Sequence, residues 1–401
     1  RAAAYFAEDA VVSIIPATPG TPGTYTGQAE IRPWLEGLMA LKAQLEVAIQ
    51  SAEESTVTAV TRYSDDALQE IGVRYLEGAE EYVVRKGKIS RLTFTTSEKS
   101  LAELQLATLK AAAPTHADVP YIDGGAPEQV LDIYLPEREG GPFPIMFFVP
   151  GSDDTRKDHN ALAGYFASKG YGVVAIDVRE LGEPDRAIFV EDTFCSLAWV
   201  HANAGQYGLD AQRIVAVGYS IGALNAATLA AVDEPGDFLM DCPYSLPETG
   251  WVQGVATYAG VFVTPEVCLS PAGWCVFGAA SGNQIPPTEM QSIFEELREI
   301  PPADWRENQD ISDQARAFAR HLPLYWVDGS EVPFLIVHGE ADEFVPPGES
   351  QAFAAWLQSA GVPVELALIP KAEHWSIYTA SPNFLPILEA IEAFAAGVVR
   401  E

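Results

Sequence analysis

Apolar side chains fall along this chain in two different rhythms. From residue 116 onward they come as short, nearly continuous runs, the densest from Phe143 to Val149, separated by longer stretches with helical spacing. A continuous apolar run of strand length marks a strand buried on both faces. Strands are predicted over 130–134, 145–149, 172–176 and 213–217, and helices over 161–169, 189–204 and 221–232. Further strands are expected over 252–262 and 332–338, and the stretch 364–374 is read as a strand that runs into a loop. Alternation of this kind gives an α/β fold with a mostly parallel sheet covered by helices. Between 262 and 332 the strand pattern fails and Pro, Gly and aromatic residues accumulate, so a cap insertion is expected over about 263–330.

The first hundred residues follow a period of two instead. Strands are expected over 10–16, 56–63, 72–77, 81–85 and 89–95, with Arg85-Lys86-Gly87-Lys88 as a hairpin turn. One helix, over 28–41, carries Thr26 as its candidate cap. Few helices and consecutive antiparallel strands suggest a small α+β unit. The small residues and the Pro of Ala111-Ala112-Ala113-Pro114-Thr115-His116 suit a tether. The expected layout is a unit over 1–105, a linker over 106–116 and an α/β unit over 117–401.

A length of 401 residues fits two or three folding units. No apolar stretch reaches the ~18 residues of a membrane-spanning helix. The formal charge of −32, from 56 acidic and 24 basic residues, repels phosphate backbones and anionic head groups, which excludes nucleic-acid binding as a function. Charge says nothing about catalysis, since solubility or a halophilic or acid-tolerant source gives the same bias. Cys195, Cys242, Cys268 and Cys275 show no zinc spacing. Cys195, in an apolar helical stretch, is read as a buried free thiol, whereas Cys268 and Cys275 are spaced to close a short loop in an oxidising compartment. That gives a lean toward an extracytoplasmic location. The chain begins at Arg1 without Met, so no targeting signal is read.

Chemistry concentrates at Gly218-Tyr219-Ser220-Ile221-Gly222, which joins the apolar strand 213–217 to the helix 221–232. A strand that reverses directly into a helix needs small residues on both sides of the serine, and it exposes that serine at the carboxyl end of the sheet. The helix N-terminus then offers the Ile221 N–H to a developing oxyanion. A second donor is expected from the loop after strand 145–149, at the Ser152 N–H. The base must be a histidine that reaches Ser220. His374, at the end of 364–374 where a strand runs into a loop, suits this. His201 and His321 lie in helical stretches and His159 in a polar loop, so each is read as a surface or packing residue; His338, just before Gly339, is read as shaping a turn. Glu340, Asp342 and Glu343 compete as the orienting acid. Asp153 and Asp154 are read as solvated loop acids. Neither a metal nor a cofactor is required. Tyr219, Trp274 and Trp375 are candidates for a substrate pocket, while Phe277, Trp305, Tyr325 and Trp326 are divided between pocket and the insertion's own core.

These motifs resemble the α/β-hydrolase superfamily, on its esterase and dienelactone-hydrolase side. The elbow, the order Ser, Asp, His and the stretch His338-Gly339-Glu340-Ala341-Asp342-Glu343-Phe344-Val345-Pro346 carry the likeness, with Leu131 to Pro136 and Ala198-Trp199-Val200 in support. The resemblance selects Asp342 as the acid, with Glu340 and Glu343 as solvated neighbours. It implies a hydrolase of small carboxylic esters that works through an acyl-enzyme. This chain departs from the His-Gly-Gly-Gly of lipase-like esterases, having Pro150-Gly151-Ser152-Asp153 there. A serine peptidase of the prolyl-oligopeptidase type shares the triad order and is the alternative, although its β-propeller has no counterpart in a hundred residues. The first unit resembles the NTF2-like (SnoaL-like) cone fold, through Tyr5 to Val12, Tyr25-Thr26-Gly27 and Gly87-Lys88-Ile89. That resemblance implies a role in homodimerisation or in supporting the cleft wall. A non-catalytic ligand-binding or scaffold protein built on the cone is the remaining alternative.

Overall fold

A computed structural model describes residues 2–17, 22–109, 112–152, 154–179, 187–269, 287–378 and 381–399. The chain divides into two compact units, Arg1–Ala111 and Ala112–Glu401.

The first unit is a six-stranded sheet of β1 (Phe6–Ile15), β2 (Thr24–Thr26), β3 (Gln44–Glu53), β4 (Thr56–Ser64), β5 (Leu76–Arg85) and β6 (Lys88–Thr96), in the order β2-β1-β6-β5-β4-β3. Its neighbours run antiparallel except β1 and β6, which are parallel. The helix Gly27–Ala40 covers one face, where Ile31 packs with Phe6, Ala10, Val12 and Leu92. Thr26 occupies the cap position but its hydroxyl caps nothing; the Glu30 carboxylate accepts the Thr26 N–H instead, at 2.6 Å. Lys86 and Gly87 both take positive φ between paired Arg85 and Lys88, giving the expected two-residue hairpin.

Two expectations for this unit fail for local reasons. In place of separate strands over 72–77 and 81–85 there is one strand, β5, which begins only at Leu76. Gly78 reads as a break, yet a Cβ there would stand 2.5 Å from the Thr95 carbonyl oxygen, so the glycine permits close packing inside the sheet. β3 was not predicted because Gln, Leu, Glu and Ala are good helix formers, and pairing with β4 overrides that preference. The linker is also shorter than expected, since the helix Glu98–Leu109 runs through its first part and β7 opens at His116.

The second unit is an eight-stranded sheet of β7 (His116–Pro120), β8 (Val130–Tyr134), β9 (Phe143–Val149), β10 (Gly172–Ile176), β11 (Leu209–Tyr219), β12 (Gly254–Tyr258), β13 (Phe334–Gly339) and β14 (Val364–Ile369). Their order is β14-β13-β12-β11-β9-β10-β8-β7. From β14 to β10 all neighbours are parallel, and β8 and β7 add an antiparallel edge. Every residue of β9 is buried. At about 1.5–3 kcal/mol for each large apolar side chain, β9 and the equally dry second half of β11 anchor the sheet and fix the loops at their carboxyl ends.

In the insertion, Met290, Ile293, Phe294 and Leu297 line one side of the helix Pro287–Arg298, and fully buried Trp305 donates its indole N–H to the Ile300 carbonyl at 2.8 Å. Trp305 therefore belongs to the insertion's own core. Cys195 is not a free thiol: it is bonded to Cys242, with Cα atoms 5.5 Å apart. The bond joins the helix Ala187–Asn203 to a segment beyond the turn Pro235–Phe238, where Phe194 stacks on Phe238. A pair 47 residues apart carries no spacing signal. Cys268 is also a half-cystine, and Cys275 lies outside the described residues.

Candidate active site

β11 ends at Tyr219, the helix Ile221–Ala231 begins at the next residue but one, and Ser220 makes the reversal alone with φ 55° and ψ −122°. A non-glycine residue held there stores about 1–3 kcal/mol of strain, which the surrounding packing must offset. The flanking glycines are required by contact. A Cβ on Gly218 would lie 2.4 Å from the Gly222 carbonyl oxygen, and one on Gly222 would lie 2.2 Å from that of Pro150. The Ser220 N–H donates to the Tyr258 carbonyl at 3.0 Å, which ties the elbow to β12.

The structure brings Ser220, His374 and Asp342 together. Ser220 Oγ is 3.1 Å from His374 Nε2, and His374 Nδ1 is 2.9 Å from Asp342 Oδ2. A carboxylate only accepts, so Nδ1 bears the proton and Nε2 is left as an acceptor for the serine hydroxyl. All three residues are buried. Asp342 Oδ1 accepts the N–H groups of Phe344 (2.9 Å) and Val345 (2.8 Å). Burial alone would push the Asp342 carboxyl up. Hydrogen bonds from His338 and His374, the neighbouring imidazole charge and the Val345 N–H outweigh it and hold the carboxyl at about 2. The short turn His374–Ile377 is pinned by the Tyr258 hydroxyl, which donates to the Glu373 carbonyl at 2.5 Å.

His338 does more than shape a turn. It is fully buried, with Nδ1 2.6 Å from Ser350 Oγ and Nε2 3.0 Å from the Val345 carbonyl and 3.2 Å from Asp342 Oδ2. Asp342 thus faces two imidazoles. Glu340 and Glu343 are exposed, as expected. Asp154, expected in solvent, is largely buried and hydrogen-bonded to Tyr378 (2.5 Å), with His159 Nε2 3.3 Å away. His159 is itself buried; the polar neighbours of both residues in sequence hid their packing. Asp153 lies outside the described residues. His201 packs against the Trp251 carbonyl at 3.0 Å.

Ile221 opens its helix, where an N–H has no intrahelical acceptor. Ser152 is exposed in the loop after β9, and the loop passes close to the elbow: a Cβ on Gly151 would be 3.2 Å from Ser220 Cβ. Of the pocket candidates, Trp375 is half exposed, edge-on to His374 and tilted against exposed Phe344, with ring centroids 4.9 and 5.6 Å away. Tyr219, only 1% exposed, packs under His374 and does not face the solvent. The expectation failed because the Tyr219 side chain is turned into the packing beneath His374. Trp274 and Phe277 lie outside the described residues. Tyr325 is buried and Trp326 holds the Arg320 carbonyl through its indole N–H, so both serve the insertion. Phe344 had no signal beyond its place beside the acid.

Among the described residues no group of three His, Cys, Asp or Glu side chains is placed to hold a metal ion, and no helix is long and apolar enough to cross a membrane. The arrangement can move a proton from Ser220 Oγ to His374 Nε2 and stabilise the resulting imidazolium against Asp342.

Residues 131–260 match the BD-FAE family and residues 280–399 the prolyl oligopeptidase family. Esterase LipQ of Mycobacterium tuberculosis is 27% identical over 290 residues, which are 71% of this chain and 62% of that protein. Ethyl acetate hydrolase of Pseudomonas putida is 26% identical over 274 residues, covering 62% of this chain and 76% of that protein. The chain spans between 55% and 62% of the length of LipQ and three other curated relatives. A truncated carbohydrate esterase from gut microbiota superposes with a TM-score of 0.55 at 18% identity, over 73% of this chain and 98% of that one. Esterase B from Lactobacillus rhamnosis gives 0.54 at 18% identity, over 75% and 97%. Strand order, elbow and these likenesses give residues 112–401 an α/β-hydrolase fold similar to that of esterases.

Proposed function

We propose that the protein hydrolyses carboxylic esters of small molecules, with Ser220 as nucleophile, His374 as general base and acid, and Asp342 as the orienting carboxylate. The observation that carries this reading is the pair of contacts at 3.1 and 2.9 Å that join Ser220 through His374 to Asp342. Ser220 Oγ attacks the ester carbonyl as its proton passes to His374 Nε2, and the Ile221 and Ser152 N–H groups receive the oxyanion. The imidazolium then protonates the leaving alcohol. Water, deprotonated by His374, attacks the acyl-enzyme and releases the acid, restoring the serine hydroxyl. Esterase and ester hydrolase relatives support the substrate class. Trp375 and Phe344 beside the base offer an apolar surface to the acyl or alcohol group.

The peptidase reading keeps one observation in its favour, the prolyl oligopeptidase match over 280–399. The described residues of the first unit form a single six-stranded sheet rather than propeller blades. The parallel β1–β6 pair and the helix across one face support the NTF2-like reading of that unit. Leu45, Val47 and Ile49, 56%, 47% and 69% exposed on edge strand β3, support homodimerisation through it; light scattering of the whole chain at micromolar concentration reads the mass. Initial rates on p-nitrophenyl esters from acetate to decanoate, beside peptide p-nitroanilides, separate the two catalytic readings. Ester turnover with inert anilides is the expected result, and the reverse preference defeats it.

A further inference from the structure

The loop that should supply the second oxyanion donor lacks the glycine run of lipase-like esterases, so something other than a chain of small residues must hold it against Ser220. Gly151 is wedged there: a Cβ would meet Asp154 Oδ2 and Tyr219 Cδ1 at 3.1 Å each and Ser220 Cβ at 3.2 Å. The Asp154 carboxylate lies on the other side of this wedge, against Gly151. It accepts the Tyr378 hydroxyl at 2.5 Å, and His159 Nε2 stands 3.3 Å away. Burial would push Asp154 up, but these partners hold it below the usual carboxylate range, so it stays an acceptor. Burial and the Asp154 charge push the Tyr378 hydroxyl up, so it stays a donor. His159 is fixed in turn, stacked on Tyr378 with centroids 5.2 Å apart and packed on Phe148 at the end of β9.

We propose that Asp154 is the positioning residue of the oxyanion loop, and that Tyr378, four residues after His374, ties this loop to the loop of the base. The inference rests on the ester-hydrolase reading. In place of a glycine run, the Asp154 side chain packs against Gly151 and is hydrogen-bonded to Tyr378, which directly follows the His374 turn. A shift of one loop then displaces an oxyanion donor and the base together. Such a lock acts on the tetrahedral intermediate, where the oxyanion exists, and hardly on ground-state binding.

The test compares wild type with Asp154→Ala, Asp154→Asn and Tyr378→Phe, on a short p-nitrophenyl ester and on inactivation by diethyl p-nitrophenyl phosphate, which passes through a charged trigonal-bipyramidal state at Ser220. A misplacement of about 1 Å costs on the order of 100-fold. Asp154→Ala is expected to lower kcat and the inactivation rate together by about 100-fold with KM within about 3-fold. Asp154→Asn, which keeps one acceptor, should recover about 10-fold of that loss, and Tyr378→Phe, which leaves the fold intact, should lose about 10-fold. Folded variants whose KM rises with kcat unchanged, or whose rates match wild type, overturn the assignment. If wild type neither hydrolyses the ester nor reacts with the phosphate, the ester-hydrolase reading falls and takes this inference with it; an active wild type with unaffected variants removes the inference alone.

Discussion

His338→Leu removes the second imidazole from Asp342 while keeping an apolar side chain of similar size in a fully buried place. Asp342 is held at about 2 against an ordinary value of 3.8, a difference of roughly 2 kcal/mol at 1.36 kcal/mol per pKa step, shared among His338, His374 and a backbone N–H. The part owed to His338 is then about 1 kcal/mol. The substitution also strips Ser350 Oγ and the Val345 carbonyl of a partner, which adds about 1–3 kcal/mol. Only the first part depends on pH. A carboxyl whose folded pKa is depressed contributes stability above its ordinary value, and that contribution is lost as pH falls through about 2. Denaturant unfolding should therefore show a variant less stable by roughly 2–4 kcal/mol near neutral pH, with the gap narrowing by about 1 kcal/mol between about pH 4 and pH 2. His374 and two backbone N–H groups still hold Asp342, so kcat/KM should fall by no more than about 10-fold, whereas Asp342→Asn should lose on the order of 10⁴-fold. A gap that stays constant across this pH range, or a loss of activity as large as that of Asp342→Asn, refutes the reasoning.

Removing the Cys195–Cys242 bond by Cys195→Ser together with Cys242→Ser reopens a 47-residue separation, so chain entropy predicts a loss of roughly 4 kcal/mol; thermal unfolding with and without reductant measures it, and equal melting temperatures for wild type and variant would argue that the bond is not formed. Glu349 is fully buried and its carboxyl is pushed up to about 7 from an ordinary 4.5, although Phe262 and Thr264 donate to it. A raised folded value means stability that is fully present below 4.5 and lost as pH rises through about 7. Stability of wild type relative to Glu349→Gln should accordingly drop by roughly 3 kcal/mol between about pH 4 and pH 8, and a pH-independent difference would contradict the assignment.

The α/β unit was legible in the sequence because its central strands are buried on both faces and read as apolar runs of strand length. β9 and β11 announce themselves as apolar runs, and Gly218 and Gly222 announce the turn between β11 and its helix, since no other residue fits 2.2–2.4 Å from a neighbouring carbonyl oxygen. His374 and Asp342 followed from strand ends and chain order. What stayed hidden depends on distance along the chain. Asp154 looks like a loop residue among polar neighbours and His338 like a strand-end residue that shapes a turn, and only the packing of the loop after β9 and of β13 shows Asp154 largely buried beside Gly151 and His338 buried against the candidate acid. The Cys195 bond was missed for the same reason. β3 was missed through its composition, because helix-forming residues pair as an edge strand when the sheet offers them partners.

The central claim is that Ser220 is the nucleophile activated by His374. Intact-mass measurement after brief exposure to diethyl p-nitrophenyl phosphate, followed by peptide mapping, tests it most directly. A single phosphoryl adduct on Ser220, absent from Ser220→Ala and strongly slowed in His374→Ala, is the predicted result. Folded wild-type protein that stays unmodified, or that carries the adduct on another residue, would contradict it.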